Sequence, residues 1–213
     1  EGENISDRNP RYCELTTQYW AWKNVDADYY GFCHYRRYFD FSDTLHKENP
    51  YGEIMDDYID AKAAKEYGLD DTNIERVVRQ YDVITTPFGD LTKIIDKHGT
   101  PRALWEAAPL LHDDDMLRCY RILCKMYPDY KEDADSFFTG NKACFCNMFI
   151  MKKEIFFDYC SWMFPILEEF DKNTSYSAYS KEALRTPGHL SERLLNIYLI
   201  CLLYTSDAAD EED

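Results

Sequence analysis

The sequence has no uninterrupted apolar run long enough to cross a membrane, and it does not open with a basic-then-apolar signal segment. These absences predict a soluble protein. We therefore expect a cytoplasmic protein.

An excess of positive charge is also missing, because 24 Lys and Arg residues stand against 40 Asp and Glu residues and the net charge is −16. Contact along a nucleic-acid backbone needs a basic surface, so this composition excludes a general nucleic-acid binder. A small phosphorylated ligand held by a few local arginines stays compatible with it.

Several motifs that carry enzyme chemistry are absent as well. The sequence has no P-loop, no dinucleotide-binding glycine fingerprint and no nucleophile elbow around a serine. Its eight cysteines form no CxxC pair and most lie in apolar or aromatic stretches, which favours buried free thiols over a zinc site.

Apolar and aromatic surface, in contrast, is abundant. Hydrophobic residues make up 45% of the 213 residues, and the aromatic share is 16%, with 18 Tyr and 12 Phe. That much ring surface can offset the conformational entropy lost on folding, so we predict one ordered domain.

Hydrophobic periodicity alternates between helical and extended patterns, which predicts an α/β layer fold. Asn9-Pro10 is typical of a helix start. Helices are predicted at 10–24, 72–80, 113–126, 153–170 and from about 190, and strands at 29–35, 82–86 and 143–151. The polar residues 43–70 are predicted to form a lid-like excursion over the site.

Two adjacent arginines follow the first aromatic strand, within His34-Tyr35-Arg36-Arg37. Ligands bind at the carboxyl ends of strands in open α/β sheets, and the guanidinium fork suits phosphate oxygens. The flanking tyrosines could stack on a base or a sugar. By itself, the motif is equally compatible with arginines that pair with structural carboxylates.

Three further residues are candidates for contact with a sugar or an acceptor. Asn147 is polar within an apolar strand, so its amide either faces a ligand or is a satisfied core group. Glu192 and Arg193 lie near a helix start, and there Glu192 is either a dipole-favoured first-turn acid or a base for an acceptor hydroxyl.

A divalent cation, Mn²⁺ or Mg²⁺, would need carboxylate ligands, and Asp26-Ala27-Asp28 has the Asp-x-Asp spacing of many sugar-nucleotide transferases. This pair precedes its strand, whereas such a pair normally follows one. The favoured interpretation is a loop without a metal, with Asp26 and Asp28 as the cation ligands to test.

Long contiguous blocks of the chain resemble a bacterial family of unknown function. It is associated with capsular and exopolysaccharide biosynthesis and grouped with GT-A-type glycosyltransferases. The matching blocks include Gly2-Glu3-Asn4-Ile5-Ser6, Tyr19-Trp20-Ala21-Trp22-Lys23-Asn24, His34-Tyr35-Arg36-Arg37-Tyr38-Phe39 and Asn147-Met148-Phe149-Ile150-Met151.

The resemblance implies a GT-A-like fold, with a mixed, mostly parallel sheet flanked by helices and without its N-terminal strand. It also implies transfer of a hexose from a nucleotide sugar, a UDP-hexose, to a surface-polysaccharide or lipid-linked glycan acceptor at the inner face of the membrane. In this scheme His34-Tyr35-Arg36-Arg37 lies where relatives carry Asp-x-Asp, so that arginine replaces the metal. The alternative is a non-catalytic nucleotide-sugar or glycan-binding module.

The site residues follow from the same resemblance. Arg36, Arg37 and Glu192 would act in catalysis, and the donor would be bound by His34, Tyr35, Asn147 and Arg193.

Both ends of the chain look foreign to such a domain. The start has no Met and enters a motif at once, which indicates missing upstream residues. The string from Cys201 to Asp213 resembles the translation of a sequencing-library adapter. We therefore predict an N-terminally truncated glycosyltransferase domain at 1–200, which could lack activity as a fragment, and an artefactual tail at 201–213.

Overall fold

A computed structural model describes residues 1–49, 51–94 and 99–210, with side chains described except at 94 and 204–210. Helices dominate the α/β fold. They are α1 (Asn9–Tyr12), α2 (Leu15–Asn24), α3 (Ala61–Glu66), α4 (Asp71–Val78), α5 (Leu91–Ile94), α6 (Pro101–Glu106), α7 (Asp113–Met126), α8 (Lys131–Thr139), α9 (Lys153–Lys172) and α10 (Thr186–Asp210). The strands are β1 (Tyr29–Phe32), β2 (Val83–Thr85), β3 (Gly89–Asp90), β4 (Lys142–Ala143) and β5 (Phe149–Lys152).

The central sheet has the strand order β1-β5-β2, and both ladders are antiparallel. Gly31 and Ile84 both pair with Ile150 of the middle strand. The second sheet, β3-β4, is antiparallel too. The implied mostly parallel sheet is therefore wrong for the described residues.

The reason lies in the place of β5. Because β1 and β2 both run opposite to β5, they run parallel to each other, and the chain between them passes through α3 and α4 as in a βαβ unit. The late strand β5 is then inserted between these two. A helix–strand alternation read along the chain cannot show such an insertion. The implied lack of an N-terminal strand stays a prediction.

The core is built on α9, whose apolar side chains recur at helical spacing. Phe156, Tyr159, Met163 and Phe170 on this helix have no exposed surface. Burial of each such side chain contributes about 1.5–3 kcal/mol. The predicted helix 153–170 is confirmed within two residues, and Pro165 lies inside it without ending it. No helix in the described part of the chain is both long and apolar enough to span a bilayer.

The predicted helix 10–24 is interrupted at Cys13, whose φ of +49° ends α1. Asn9 is not the cap residue, since its side chain donates to the Cys13 carbonyl and the Thr16 hydroxyl instead. Beyond the break, α2 packs on α9, where Trp22 stacks on Phe164 at a centroid distance of 5.7 Å.

The predicted strand 143–151 is wrong in its middle, because β4 ends at Ala143 and β5 begins at Phe149. Side chains of α10 replace a neighbouring strand there. The Asn196 amide accepts from the Cys144 N–H at 2.8 Å and donates to the Cys144 carbonyl at 2.9 Å. Glu192 accepts from the Cys146 N–H at 3.1 Å. The backbone is thus satisfied without a ladder.

The last helix begins earlier than predicted. Thr186 opens α10, so the residues just before 190 are helical as well, and Pro187 occupies the first turn, where a missing N–H costs nothing. Glu192 consequently lies in the second turn, and its interpretation as a first-turn acid is wrong. The predicted artefactual tail begins inside α10, and its residues 211–213 lie outside the described residues.

Candidate functional site

The chain reverses direction just past the carboxyl end of β1. The Arg37 N–H donates to the His34 carbonyl at 3.1 Å and closes a tight turn, which we call the 34–37 turn. Tyr35, Arg36 and Arg37 are exposed on it, with Tyr35 72% exposed. The motif therefore lies at the strand end, where a ligand was expected.

The two arginines of this turn have different partners. Arg37 Nε is 3.3 Å from Glu53 Oε1 in the excursion that follows β1. The Arg36 guanidinium lies over the Tyr35 ring, 4.7 Å from its centroid, and it pairs with no carboxylate of the described residues. The alternative interpretation, structural ion pairs, thus fits Arg37 and not Arg36.

His34 lies at the base of the turn, with its ring 4.5 Å from that of Tyr35. Burial and then the charge of Arg37 lower its pKa, with smaller contributions of the same sign from Arg36 and Arg185, whereas Glu14 opposes them. The imidazole is therefore neutral at pH 7. Its buried Nδ1 has no hydrogen-bond partner among the described residues.

Asn147 joins three parts of the chain behind this turn. Its Nδ2 lies 2.7 Å from Glu14 Oε1, 2.9 Å from Ser191 Oγ and 3.2 Å from the Gly188 carbonyl. The residue is 3% exposed, and its buried Oδ1 has no partner among the described residues. The amide is thus only half satisfied within the protein.

Glu192 and Arg193 form an ion pair on α10, in which Arg193 is buried and Glu192 is half-buried. Arg193 Nη1 is 2.7 Å from Glu192 Oε2 and donates to the His189 carbonyl at 3.0 Å. The Arg193 guanidinium also lies over the Trp105 ring. Burial raises the pKa of Glu192, and Arg193 opposes that rise. Both oxygens of Glu192 are engaged, since Oε1 accepts from the Cys146 N–H. Arg193 is 9% exposed, and its role in donor binding stays a prediction.

Two charged residues of the site were missed by the sequence reasoning. Arg185 immediately precedes α10, and its Nε donates to Cys13 Sγ at 3.2 Å. The hydrogen bond with Cys13 is the main cause that raises the pKa of Arg185, and Glu14 acts in the same direction. Arg185 thus lies beside the residues that lead into α2. Arg185 could have been identified from its position directly before a helix, but the start of that helix was predicted too late. Glu14, the other missed residue, is recognised as part of the site only once the fold is known.

Backbone strain is concentrated at the same place. Cys13, Cys146 and Asn147 are the non-glycine residues with positive φ in the described part of the chain, at +49°, +78° and +50°. Such conformations cost of order 1–3 kcal/mol each and cluster at functional sites. Here they bring Glu14 and Asn147 together.

Asp26 and Asp28 lie at the opposite end of β1. The Asp26 carboxylate is 2.5 Å from Lys153 Nζ and 88% exposed, and the Asp28 carbonyl accepts from the Lys153 N–H. A strand rises about 3.3 Å per residue, so the four residues of β1 separate this pair from the 34–37 turn. Among the described residues, no three His, Cys, Asp or Glu side chains cluster in a way that could hold a metal ion.

The fold is similar to a solved structure described as the apo form of the bifunctional glycosyltransferase WbbM, with a TM-score of 0.91 and 36% sequence identity. The alignment covers 96% of this chain and 36% of that one, so the chain spans about a third of the longer protein. The fold is thus that of a glycosyltransferase-like α/β domain. Residues 1–201 match the family described as Domain of unknown function (DUF4422), and the chain belongs to that family. The search of curated proteins gave no match.

Proposed function

We propose that this domain transfers a hexose from a nucleotide-sugar donor, a UDP-hexose, to a surface-polysaccharide acceptor of the capsule or exopolysaccharide type. The observation that carries the proposal is the basic cluster at the carboxyl end of β1, formed by Arg36, Arg37 and Arg185 around a neutral His34. A chain with a net charge of −16 keeps three arginines together there. The fold match to a glycosyltransferase supports the same function.

The chemistry of the cluster fits a diphosphate leaving group. Negative charge develops on the diphosphate as the bond to the anomeric carbon breaks, and pre-placed guanidinium groups stabilise that charge. In this proposal the arginines do the neutralising that Mn²⁺ or Mg²⁺ does elsewhere. The exposed ring of Tyr35, next to Arg36, offers a stacking face for a base or a sugar.

The setting of the reaction belongs to the proposal too. A lipid-linked or growing glycan acceptor is presented at the inner face of the membrane. The domain would work in the cytoplasm, in peripheral association with that surface.

The test compares three arginine variants with a control. Arg36→Ala, Arg37→Ala and Arg185→Ala should each weaken binding of the donor about tenfold or more, because a hydrogen bond to a charged group contributes about 1.5–3 kcal/mol. Arg121→Ala, at an exposed arginine on α7, should leave binding unchanged. Calorimetry with a panel of nucleotide hexoses measures affinity, and release of the nucleoside diphosphate measures turnover.

Three outcomes would contradict parts of the proposal. If Arg36→Ala and Arg185→Ala bind donor and turn over like the wild type, the site is wrong. Donor binding without any turnover, across the panel and with glycan acceptors, would identify a non-catalytic binding module. Activity that is lost in EDTA and restored by Mn²⁺ would show that arginine does not replace a metal.

A further inference from the structure

The Glu14 carboxylate is a second acidic group in the site. Glu14 directly precedes α2, yet its side chain does not cap that helix. It reaches across 133 positions of sequence to the Asn147 amide, at 2.7 Å. The left-handed backbone of Cys13 and that of Asn147 together make this contact possible. A side chain that is held by a strained residue, Asn147, and does not cap its own helix points to a role outside the fold.

The two glutamates of the site differ in what their oxygens can still accept. Glu192 has no free oxygen, since Arg193 holds Oε2 and the Cys146 N–H holds Oε1. Glu14 uses Oε1 for Asn147, and its Oε2 has no hydrogen-bond partner among the described residues. Glu14 is also half-buried rather than enclosed. A general base needs a lone pair within reach of the hydroxyl that it deprotonates. Of the two glutamates, only Glu14 has a carboxylate oxygen with no hydrogen-bond partner among the described residues.

Hydrogen bonds of its neighbours place Glu14 beside the proposed diphosphate site. Arg185 Nε lies 3.2 Å from Sγ of Cys13, which directly precedes Glu14. The Asn147 amide that binds Glu14 directly follows Cys146, whose N–H binds Glu192. A donor whose diphosphate rests on the arginines would therefore have its hexose within reach of the Glu14 carboxylate. In the transfer reaction, the basic cluster would stabilise the leaving diphosphate, and the free carboxylate oxygen would accept the proton of the acceptor hydroxyl.

We propose that Glu14, and not Glu192, is the catalytic base of the hexosyl transfer proposed above. The acceptor hydroxyl gives its proton to Glu14 Oε2 while its oxygen forms the new bond to the anomeric carbon. The bond from that carbon to the diphosphate oxygen breaks, and its electron pair leaves with the diphosphate on the arginines. Asn147 is a positioning residue that fixes the carboxylate, and Glu192 is a positioning residue that holds the loop 144–148 through the Cys146 N–H.

The experiment compares Glu14→Gln with Glu192→Gln and with Glu154→Gln, a change at an exposed carboxylate on α9. Glu14→Gln keeps an oxygen for the Asn147 contact but cannot take a proton. We expect its kcat to fall by about 10²–10⁴-fold with donor affinity unchanged, because general base catalysis contributes about that factor. The acidic limb of its kcat/KM-against-pH profile should disappear. Glu192→Gln should keep that limb, and Glu154→Gln should match the wild type.

Glu14→Asp provides a second variant, since it keeps a carboxylate one methylene shorter and should retain the acidic limb at a reduced kcat. Circular dichroism and donor affinity show whether each variant is folded. If the wild type turns over and folded Glu14→Gln keeps its kcat within about threefold, or keeps the acidic limb, Glu14 is not the base. Loss of the limb in Glu192→Gln alone would exclude Glu14 as well. If the full-length protein that carries this domain turns over no donor, the proposed function itself is wrong, and the base assignment with it.

Discussion

Replacing Asn147 with alanine should destabilise the whole domain, although the residue lies in a loop. The amide ties the start of α2, the loop 144–148 and the first turns of α10 to one another. It is 3% exposed, so water cannot take over its contacts without a rearrangement. The left-handed φ of +50° suits asparagine much better than alanine.

The expected magnitude follows from these contacts. Nδ2 has two hydrogens for three acceptors, so at most two full hydrogen bonds are lost. The bond to the Glu14 carboxylate at 2.7 Å is the stronger, about 1.5–3 kcal/mol, and a neutral bond adds about 1 kcal/mol. The left-handed backbone costs alanine about 1 kcal/mol more. Asn147→Ala should therefore lower the free energy of unfolding by about 3.5–5 kcal/mol.

Urea unfolding followed by tryptophan fluorescence measures this loss, and a glycine variant separates its two parts. Asn147→Gly loses the same hydrogen bonds but tolerates positive φ, so it should be about 1 kcal/mol more stable than Asn147→Ala. Asn73→Ala, which removes a surface amide contact with Asp70 at 2.8 Å, should cost less than about 1 kcal/mol. A loss below about 1 kcal/mol for Asn147→Ala, or a glycine variant no more stable than it, would refute the reasoning.

Two further predictions concern charge. Burial, Arg193 and Arg185 lower the pKa of His189 from 6.5 to about 4. The unfolded chain thus binds a proton at this histidine near pH 6.5, whereas the folded chain binds it only near pH 4. The free energy of unfolding therefore falls as the pH drops from about 6.5 to about 4. His189→Gln should remove about 2 kcal/mol of the loss in unfolding free energy between pH 7.5 and 5, and a parallel pH dependence in the variant would count against the assignment. Asp26→Asn and Asp28→Asn should leave the transfer rate within about twofold, with or without Mn²⁺, because they lie at the far end of β1 from the arginines. A large loss that excess Mn²⁺ reverses would restore them as metal ligands.

Long amphipathic segments were predicted well because their burial follows the period of one element. The helix predicted at 113–126 has the bounds of α7, and its acidic first turn is in place. The helix predicted at 153–170 differs from α9 by two residues at its end. In both helices the buried side chains recur at spacings of three and four, which local sequence displays directly.

The loop 144–148 shows why the rest could not be predicted. Its apolar composition is typical of a strand, and buried apolar residues satisfy that pattern whether or not a ladder forms. What breaks the strand is Asn196, which hydrogen-bonds both backbone groups of Cys144 from 52 positions away. Such a tertiary replacement of a strand partner leaves no periodic trace in the sequence.

The site was predicted where its residues are adjacent in sequence and missed where they are not. The 34–37 turn and Asn147 were singled out from local chemistry, and their roles in donor binding and catalysis stay predictions. Glu14 and Arg185 enter the site only because α1 breaks at Cys13 and α10 begins at Thr186. The break at Cys13 was not predicted at all, because 10–24 was predicted as one helix, and the start of α10 was predicted too late, at about residue 190.

The central position of β5 determines when the sheet can form during synthesis. Both outer strands of the sheet pair only with β5 among the described strands. Thr85 ends β2 and Phe149 begins β5, so a ribosome adding about 5–20 residues per second leaves β2 without its partner for several seconds. The aromatic strand β1 is synthesised before β2 and therefore remains without its partner β5 for longer. Until Lys152 has emerged, the nascent chain carries two unpaired strand edges, and this interval is when it is most exposed to chaperones and to aggregation.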